Sequence, residues 1–517
     1  MKHKLVLILI ITAGLFLRLY HIEFGLPHSF HADEPEIIEP AIKYTYEIRS
    51  IVANNDYYKL IPISFVYGTF PTYINTVFTM FFSKIMNLMG FGFEKWHIYV
   101  FLRSLNALGS MLMVWASYKL YKKMFEDASG AIIVAFLTSL SWIFIVHAHY
   151  VNADLIQTIL LTLAYLTTYS YYKTTYDSKY TFLTGILLGL ALGTKITTLI
   201  TIPIFLLVWL WKRDWKGFLA VTLFTFAAFL VTNPFSFIFS DSFVFRIYTM
   251  FTKEAGMVFD SVDSNPFKYL LAAIFTTTPL VLLTSLYGKL SVLKKKEDFV
   301  FHLFLVGQVL IYIVFFSLQA RRVDRWLLPI LPIIFIYASY GLTELRFKIN
   351  KHVFQIILAL VVFSYLYYPT LLLKQFDRYT PKAQAYVWMQ QNTDAHNPLV
   401  KTLAYTEEGL DPLNKLPFAD VTKVAVYTDE NAQYFVPEDP TKYKYVILAS
   451  KPMQYYKKPE IKKTFPVYVE KWEQFEQTIL DESKFKLVKE FVLSKPNLVN
   501  LSDVFIYENL SSVGMLE

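Results

Sequence analysis

Over its first 373 residues the chain alternates long apolar runs with short polar connections bearing Lys and Arg, and then changes character. A first apolar run, Leu5 to Tyr20, follows the basic opening MKHK. Ten more lie at 98–118, 129–147, 153–172, 181–194, 197–211, 217–234, 268–287, 299–318, 326–343 and 353–370. Runs of this length and composition predict about eleven membrane-spanning helices. The opening has the shape of a signal peptide, yet it lacks a small-residue cleavage site and ends in Arg18, so it reads as an uncleaved first span. The stretch 181–211 would be about 46 Å long as one helix. It is divided at Gly193-Thr194-Lys195, because a single span there would put LKKKED and RFKIN on the wrong side of the membrane. The stretch 69–90 is also apolar, but it contains Lys84 and counting it would invert every later loop. It reads instead as an amphipathic helix lying in the outer interface, within a first external loop of residues 21–97.

From Lys374 the sequence becomes charged, Tyr-rich and punctuated by Pro, with no further apolar run. Residues 374–517 are therefore expected to form a separate soluble α/β domain after a membrane domain of 1–373. Thr380-Pro381 opens a helix over TPKAQAYVWMQQN, and LVKTLA, KYVILAS, KLVKEFV and DVFIYE read as strands. No internal repeat is visible, which weighs against transporters built from inverted repeats.

Charge fixes the expected orientation. Lys119/Lys122/Lys123, Lys173/Lys179, Lys212/Arg213/Lys216, Lys289/Lys294/Lys295/Lys296 and Arg346/Lys348/Lys351 fall on one side of an eleven-span chain, together with Lys2 and Lys4. By the positive-inside rule that side is cytoplasmic, which leaves Asp33 and the C-terminal domain outside a plasma membrane. The hydrophobic share of 55% against 17% charged residues excludes an ordinary soluble globule. A net charge of +8 could suggest nucleic acid, but the basic residues are loop clusters between apolar runs, so no nucleic-acid partner is expected. The absence of cysteine excludes disulfides, thiolate metal sites and a thiol nucleophile. The Phe-, Tyr- and Lys-rich usage points to a prokaryotic source.

Several charges stand where a membrane protein has little room for idle ones. Asp33 and Glu34, in HSFHADEPEIIEP just beyond the first span, form a carboxylate pair able to take a proton from an incoming nucleophile; the alternative is a solvated loop. Arg321, Arg322 and Arg325, in LQARRVDRWLLPILP, are a basic cluster on the outer side. They suit a phosphate, or else snorkel beside Asp324. Lys195 lies at the outer turn of the divided pair, next to Gly193, where it would either pair with a phosphate or snorkel. Asp154, in HAHYVNADL, is a second outer carboxylate able to orient an acceptor or steady the base. His28, His31, His147 and His149 reach the same face; His31 and His147 with the carboxylates make a divalent metal conceivable, though their spacing matches no known ligand signature.

Taken in order, the acidic pair after one helix, YGTFPTYI, Arg103 opening the next span, GLALGTK, DRWLLPILPIIFIYASYGL and the tail DRYTPKAQAYVWMQQN…YVILAS…DVFIYE resemble glycosyltransferase family 39. This is the protein O-mannosyltransferase and aminoarabinose-transferase group of the GT-C superfamily, and the resemblance runs over nearly the whole chain. It implies a GT-C fold, a polyprenyl-phosphate sugar donor and an external active site; no cofactor is expected to be required. It further implies that Asp33 is the base with Glu34 beside it, and that Lys195 and Arg322 or Arg325 contact the donor phosphate. Beside these, Arg103, Asp154 and His149 are expected to support the site or the acceptor. Glu36, Ile37 and the stretch near Thr69 depart from the aminoarabinose branch, which argues against lipid A as acceptor. The expected activity is inverting transfer of a hexosyl or pentosyl group to a hydroxyl of a protein, lipid or glycan. A lipid-linked-sugar flippase is the alternative; a scaffold presenting the C-terminal domain would leave Lys195 and the Arg cluster unexplained.

Overall fold

The computed structural model describes residues 2–28, 31, 33–61, 67–174, 176–252, 267–295, 297–319, 323–377, 379–394, 397, 400–407, 412–424 and 439–511. The described residues fall into two compact units: those of 1–22, 33–250 and 265–373, and those of 23–32, 251–264 and 374–517.

The first unit is helical, and a helix stands at each of the eleven apolar runs. They are Lys2–Leu19, Lys95–Phe125, Ala128–Ser139 with Trp142–Ala148, Ala153–Lys173, Ser178–Thr194, Ile202–Trp211, Trp215–Thr232, Lys268–Thr277 with Pro279–Lys295, Phe299–Ser317, Leu331–Lys348 and Lys351–Gln375. Among the described residues, five helices are long and apolar enough to cross a membrane, or up to seven if the pairs bent by 52° and 106° each count as one span. The expected count of eleven is not reached by that measure. One reason is internal polarity: Gln157, Thr158, Thr162, Thr168 and Ser170 are buried along Ala153–Lys173, so this helix is less apolar than its burial suggests.

Helix ends and crossings follow from the sequence. Asp127 accepts from Ser129 N and Gly130 N, and Asn152 from Asp154 N and Leu155 N, capping the helices they precede. Gly185 and Gly189 bring Ser178–Thr194 against the backbone of Trp215–Thr232 around Val221 and Thr225, and Gly288 meets Gly341 where Pro279–Lys295 crosses Leu331–Lys348. The stretch expected to lie in the outer interface is a helix, Phe70–Leu88, which packs on Asp33–Ala53. It buries Thr72, Asn75, Thr76, Thr79 and Ser83 and exposes Val77, Phe81 and Leu88. The division at Lys195 is also present: Ser178–Thr194 ends there, Lys195 is extended, and a 3-10 turn follows over Ile196–Ile200.

The second unit holds a five-stranded sheet in the order β2-β1-β3-β5-β4, with β1 Thr402–Glu407, β2 Ala419–Val424, β3 Tyr445–Ala449, β4 Phe485–Phe491 and β5 Val504–Asn509. β1 pairs in parallel with β2 and β3, and β5 runs antiparallel to β3 and β4. Alternation along the strands sorts the core into two layers. Leu403, Tyr405, Val446 and Leu448 face Trp472, Phe475 and Ile479 of the Pro466–Leu480 helix. Ala404 and Ile447 face Ala385 and Met389 of Pro381–Asn392. Sequence reading found four of the five strands; β2 (ADVTKV), a polar edge strand, carries too weak an alternation to stand out.

Candidate active site

Asp33 and Glu34 open the Asp33–Ala53 helix as its first two residues, an acidic first turn that suits the positive end of the helix dipole. Being adjacent on a helix, they point about 100° apart and meet different partners. Glu34 is fully buried: Arg103 Nε donates to its Oε1 at 2.8 Å, Arg103 Nη2 to its Oε2 at 2.6 Å, and the Val151 amide to its Oε1 at 3.0 Å. Arg103, also fully buried, donates from Nη1 to the Ile22 carbonyl at 3.0 Å. This bidentate pair ties the helix start to Lys95–Phe125 and to the turn before Ala153–Lys173.

Asp33 joins a second array. Arg325, in the 3-10 segment Asp324–Ile330, has Nη2 2.6 Å from Asp33 Oδ2 and Nε 3.3 Å from Asp154 Oδ2. Lys195 donates from Nζ to Asp154 Oδ1, and its ammonium stands 5.9 Å from the Trp326 ring centroid. Two carboxylates and two cations thus alternate as Asp33–Arg325–Asp154–Lys195. Of the carboxylates Asp33 is the accessible one, its side chain 22% exposed against 2% for Asp154. The Tyr67 hydroxyl hydrogen-bonds to Asp33; desolvation and then the Asp33 charge push that phenol well above its ordinary value, so it stays a donor.

Backbone contacts set Tyr67 in place. Gly68 N donates to Thr194 O at 3.1 Å, and a Cβ on Gly68 would run into the Gly193 carbonyl. Thr69 N donates to Asn233 Oδ1 at 2.8 Å, and Thr69 Oγ1 to the Thr232 carbonyl. The loop before Phe70–Leu88 is therefore fastened to the break at Lys195 and to the end of Trp215–Thr232.

Four of the residues expected at the site, Asp33, Asp154, Lys195 and Arg325, come together. Arg321 and Arg322 lie outside the described residues. Glu34 and Arg103 form their own buried pair, which leaves no carboxylate oxygen of Glu34 open to an acceptor. His149 is buried with Nδ1 2.8 Å from Ile145 O and Nε2 2.8 Å from Tyr20 O; burial holds its imidazole down to about 4, the two carbonyls pulling the other way. His147 Nδ1 meets the Tyr150 hydroxyl, while His31 belongs to the second unit. Among the described residues no three His, Asp or Glu converge as a metal ion would require, so the set suggested by His31 and His147 does not form. Tyr67, Tyr150, Trp326 and Asn233 were not picked out beforehand. Asn233-Pro234 after an apolar run is the one of these with a local signal, a polar amide at a helix end.

A polytopic helical domain followed by a small C-terminal sheet is the GT-C architecture of membrane glycosyltransferases. The chain belongs to the Alg9-like mannosyltransferase family, whose model matches residues 64–403; the finer resemblance to family 39 rests on the motifs alone. ArnT from Cupriavidus metallidurans, solved bound to undecaprenyl phosphate, is similar in structure: TM-score 0.52, 14% identity, 96% of this chain and 97% of that one covered. The archaeal oligosaccharyltransferase AglB from Archaeoglobus fulgidus, in complex with an inhibitory peptide and a dolichol-phosphate, gives a TM-score of 0.54 at 14% identity, covering 88% of this chain and 70% of that one. At these identities the likeness is one of fold. No curated protein matches the chain by sequence. The protein is an integral membrane glycosyltransferase of the GT-C superfamily.

Proposed function

We propose that this chain transfers a sugar, with inversion, from a polyprenyl-phosphate donor to an acceptor hydroxyl on the outer face of the membrane. The observation that carries the reading is the alternating array Asp33–Arg325–Asp154–Lys195, accessible at its Asp33 end. Undecaprenyl phosphate and dolichol-phosphate in the two solved relatives support the donor class. Asp33 takes the proton of the acceptor hydroxyl as its oxygen attacks the anomeric carbon. The bond from that carbon to the phosphate oxygen breaks on the opposite face, and the lipid phosphate leaves with the electron pair.

The donor phosphodiester carries one negative charge and the departing monoester gains a second. Arg325 and Lys195 are the cations that hold this growing charge, and Arg321 and Arg322 are proposed to add to it. Before the donor arrives, Arg325 is engaged with both carboxylates, and a guanidinium on Asp33 makes it a poor base. A donor phosphate that draws Arg325 away releases Asp33, so the base gains strength only when a sugar is present to be attacked. Asp154, still paired with Lys195, keeps that ammonium in position. Glu34 and Arg103 act at one remove, by fixing the helix that begins at Asp33, and His149 by holding the end of the first helix at Tyr20. The acceptor is a hydroxyl of a protein, lipid or glycan, and the site faces outward as the loop charges require.

The test is transfer of radiolabelled sugar from polyprenyl-phosphate donors by detergent-purified wild type and Asp33→Asn, with cell-envelope acceptors, alongside donor binding. Transfer lost in the variant with binding kept is the expected result. Full turnover by Asp33→Asn removes the base assignment, and donor binding by the wild type without transfer from any donor favours a transporter.

A further inference from the structure

At the end of the first unit far from Asp33, the helices Pro279–Lys295 and Leu331–Lys348 flank an open cavity of about 340 Å³ whose lining includes Tyr287, Ser291, Lys294, Lys295, Glu344 and Lys348. The sequence builds it simply. Gly288 and Gly341 let the two backbones touch, and the lining residues other than Tyr287 follow within about two turns C-terminal to that crossing on each helix. Glu344 accepts from Lys295 Nζ at 2.7 Å and lies 3.9 Å from Lys348 Nζ, which fixes two ammonium groups over the opening. Tyrosine rings flank the same two cations, Tyr340 at 5.4 Å from Lys295 and Tyr287 at 5.6 Å from Lys348. Three lysines against one glutamate leave two positive charges in excess.

The approach to this cavity is apolar. Leu283, Leu286 and Leu290 are exposed at 61%, 46% and 57%, and with Lys294 they follow a spacing of three, four and four residues. That spacing puts them on one helix face, so a greasy stripe climbs Pro279–Lys295 and ends at the cationic mouth. A free anion has no use for the stripe, whereas an acyl chain ending in a phosphate fits both parts. We infer that this cavity is a binding site for the phosphate headgroup of an anionic phospholipid, with its acyl chain along Leu283–Leu290, in the leaflet opposite the Asp33 array. The site is distinct from the transferase centre and does not depend on the reaction proposed above.

The test is titration of the purified full chain with phosphatidylglycerol, phosphatidylcholine and inorganic phosphate, read by native mass spectrometry and by the unfolding midpoint. Phosphatidylglycerol is expected to bind and raise the midpoint, phosphatidylcholine and inorganic phosphate to do neither. Lys294→Ser/Lys348→Ser should weaken phosphatidylglycerol binding by about tenfold or more, while Lys289→Ser/Lys351→Ser, which removes the same charge outside the cavity, should not. Equal loss in both pairs reduces the effect to diffuse charge and overturns the site. So does equal binding of phosphatidylcholine, or displacement of phosphatidylglycerol by millimolar phosphate. Should the double variant misfold, Lys294→Ser alone, at an exposed position, carries the same expectation with a loss of about threefold.

Discussion

Glu34 and Asp33 are neighbours in the chain with opposite surroundings, and the difference predicts opposite phenotypes. Glu34→Gln leaves the Arg103 guanidinium buried without its counter-charge, which costs about 3–5 kcal/mol. It should lower the unfolding midpoint in detergent sharply, and Glu34→Gln with Arg103→Met together should recover much of the loss. Asp33→Asn sits at a partly exposed position; it should leave the midpoint nearly unchanged and lower kcat by about a hundredfold or more. Comparable midpoint losses in both variants would falsify this division. His149 adds a pH dependence whose sign is fixed by its depressed value of about 4 against an ordinary 6.5. Burial disfavours the charged ring in the fold more than in the unfolded chain, so its contribution is complete above about pH 6.5 and is lost as pH falls toward 4. His149→Asn should flatten that part of the stability profile measured by thermal unfolding. Asp33, Asp154, Lys195 and Arg325 were legible in the sequence because each is a charge beside apolar runs, where its cost demands a reason. Tyr67 and Tyr150 were not, since among 37 tyrosines one more carries no such signal.

At the scale of elements, the site depends on a short loop being held against a helix break. Lys195 leaves the helix where Gly193 and Thr194 present their backbone to Gly68, and Asn233 holds Thr69 beside them. Gly68→Ala would push a methyl group into the Gly193 carbonyl and carry Tyr67 off Asp33. Overpacking of this kind costs about 1–3 kcal/mol, taken up locally by the loop. We expect kcat to fall by about tenfold or more with donor affinity and the unfolding midpoint little changed; an unaltered kcat would remove the loop from the mechanism. The break at Lys195 could be read beforehand because a continuous helix conflicted with the charge of later loops. The bends of 52° and 106° were not picked out, although each falls at a local polar signal: Ser139 and Ser141 flank the first, and Thr278-Pro279, with Thr278 at φ 71°, marks the second. In the second unit the strands with alternating apolar faces were legible, and the edge strand β2, with one polar side, was not.

At the scale of the whole membrane unit, the basic connections that were only a list along the chain meet in space. Lys123 Nζ donates to Ser170 Oγ at 2.7 Å, Lys173 Nζ to Asp298 Oδ1 at 3.0 Å, Lys212 Nζ to the Tyr171 carbonyl at 3.1 Å, and Lys295 Nζ to Glu344 Oε1 at 2.7 Å. These contacts link successive Lys-bearing ends of the helices, while the Asp33 array lies where Leu331–Lys348 begins, about 27 Å away along an 18-residue helix. One end is rich in lysine and the other holds the Asp33 array, the separation from which the positive-inside rule predicts an orientation. The chain contains no cysteine, so single cysteines can report it without a background. Asn54→Cys, beyond the Asp33–Ala53 helix, and Glu482→Cys, in the second unit, should react with a membrane-impermeant maleimide on intact cells. Glu297→Cys, beside the lysines, should react only after permeabilisation. Labelling of Glu297→Cys in intact cells would put the lysine-rich end outside, and with it the transferase site on the cytoplasmic face, where an acceptor and a donor of quite different origin would have to be sought.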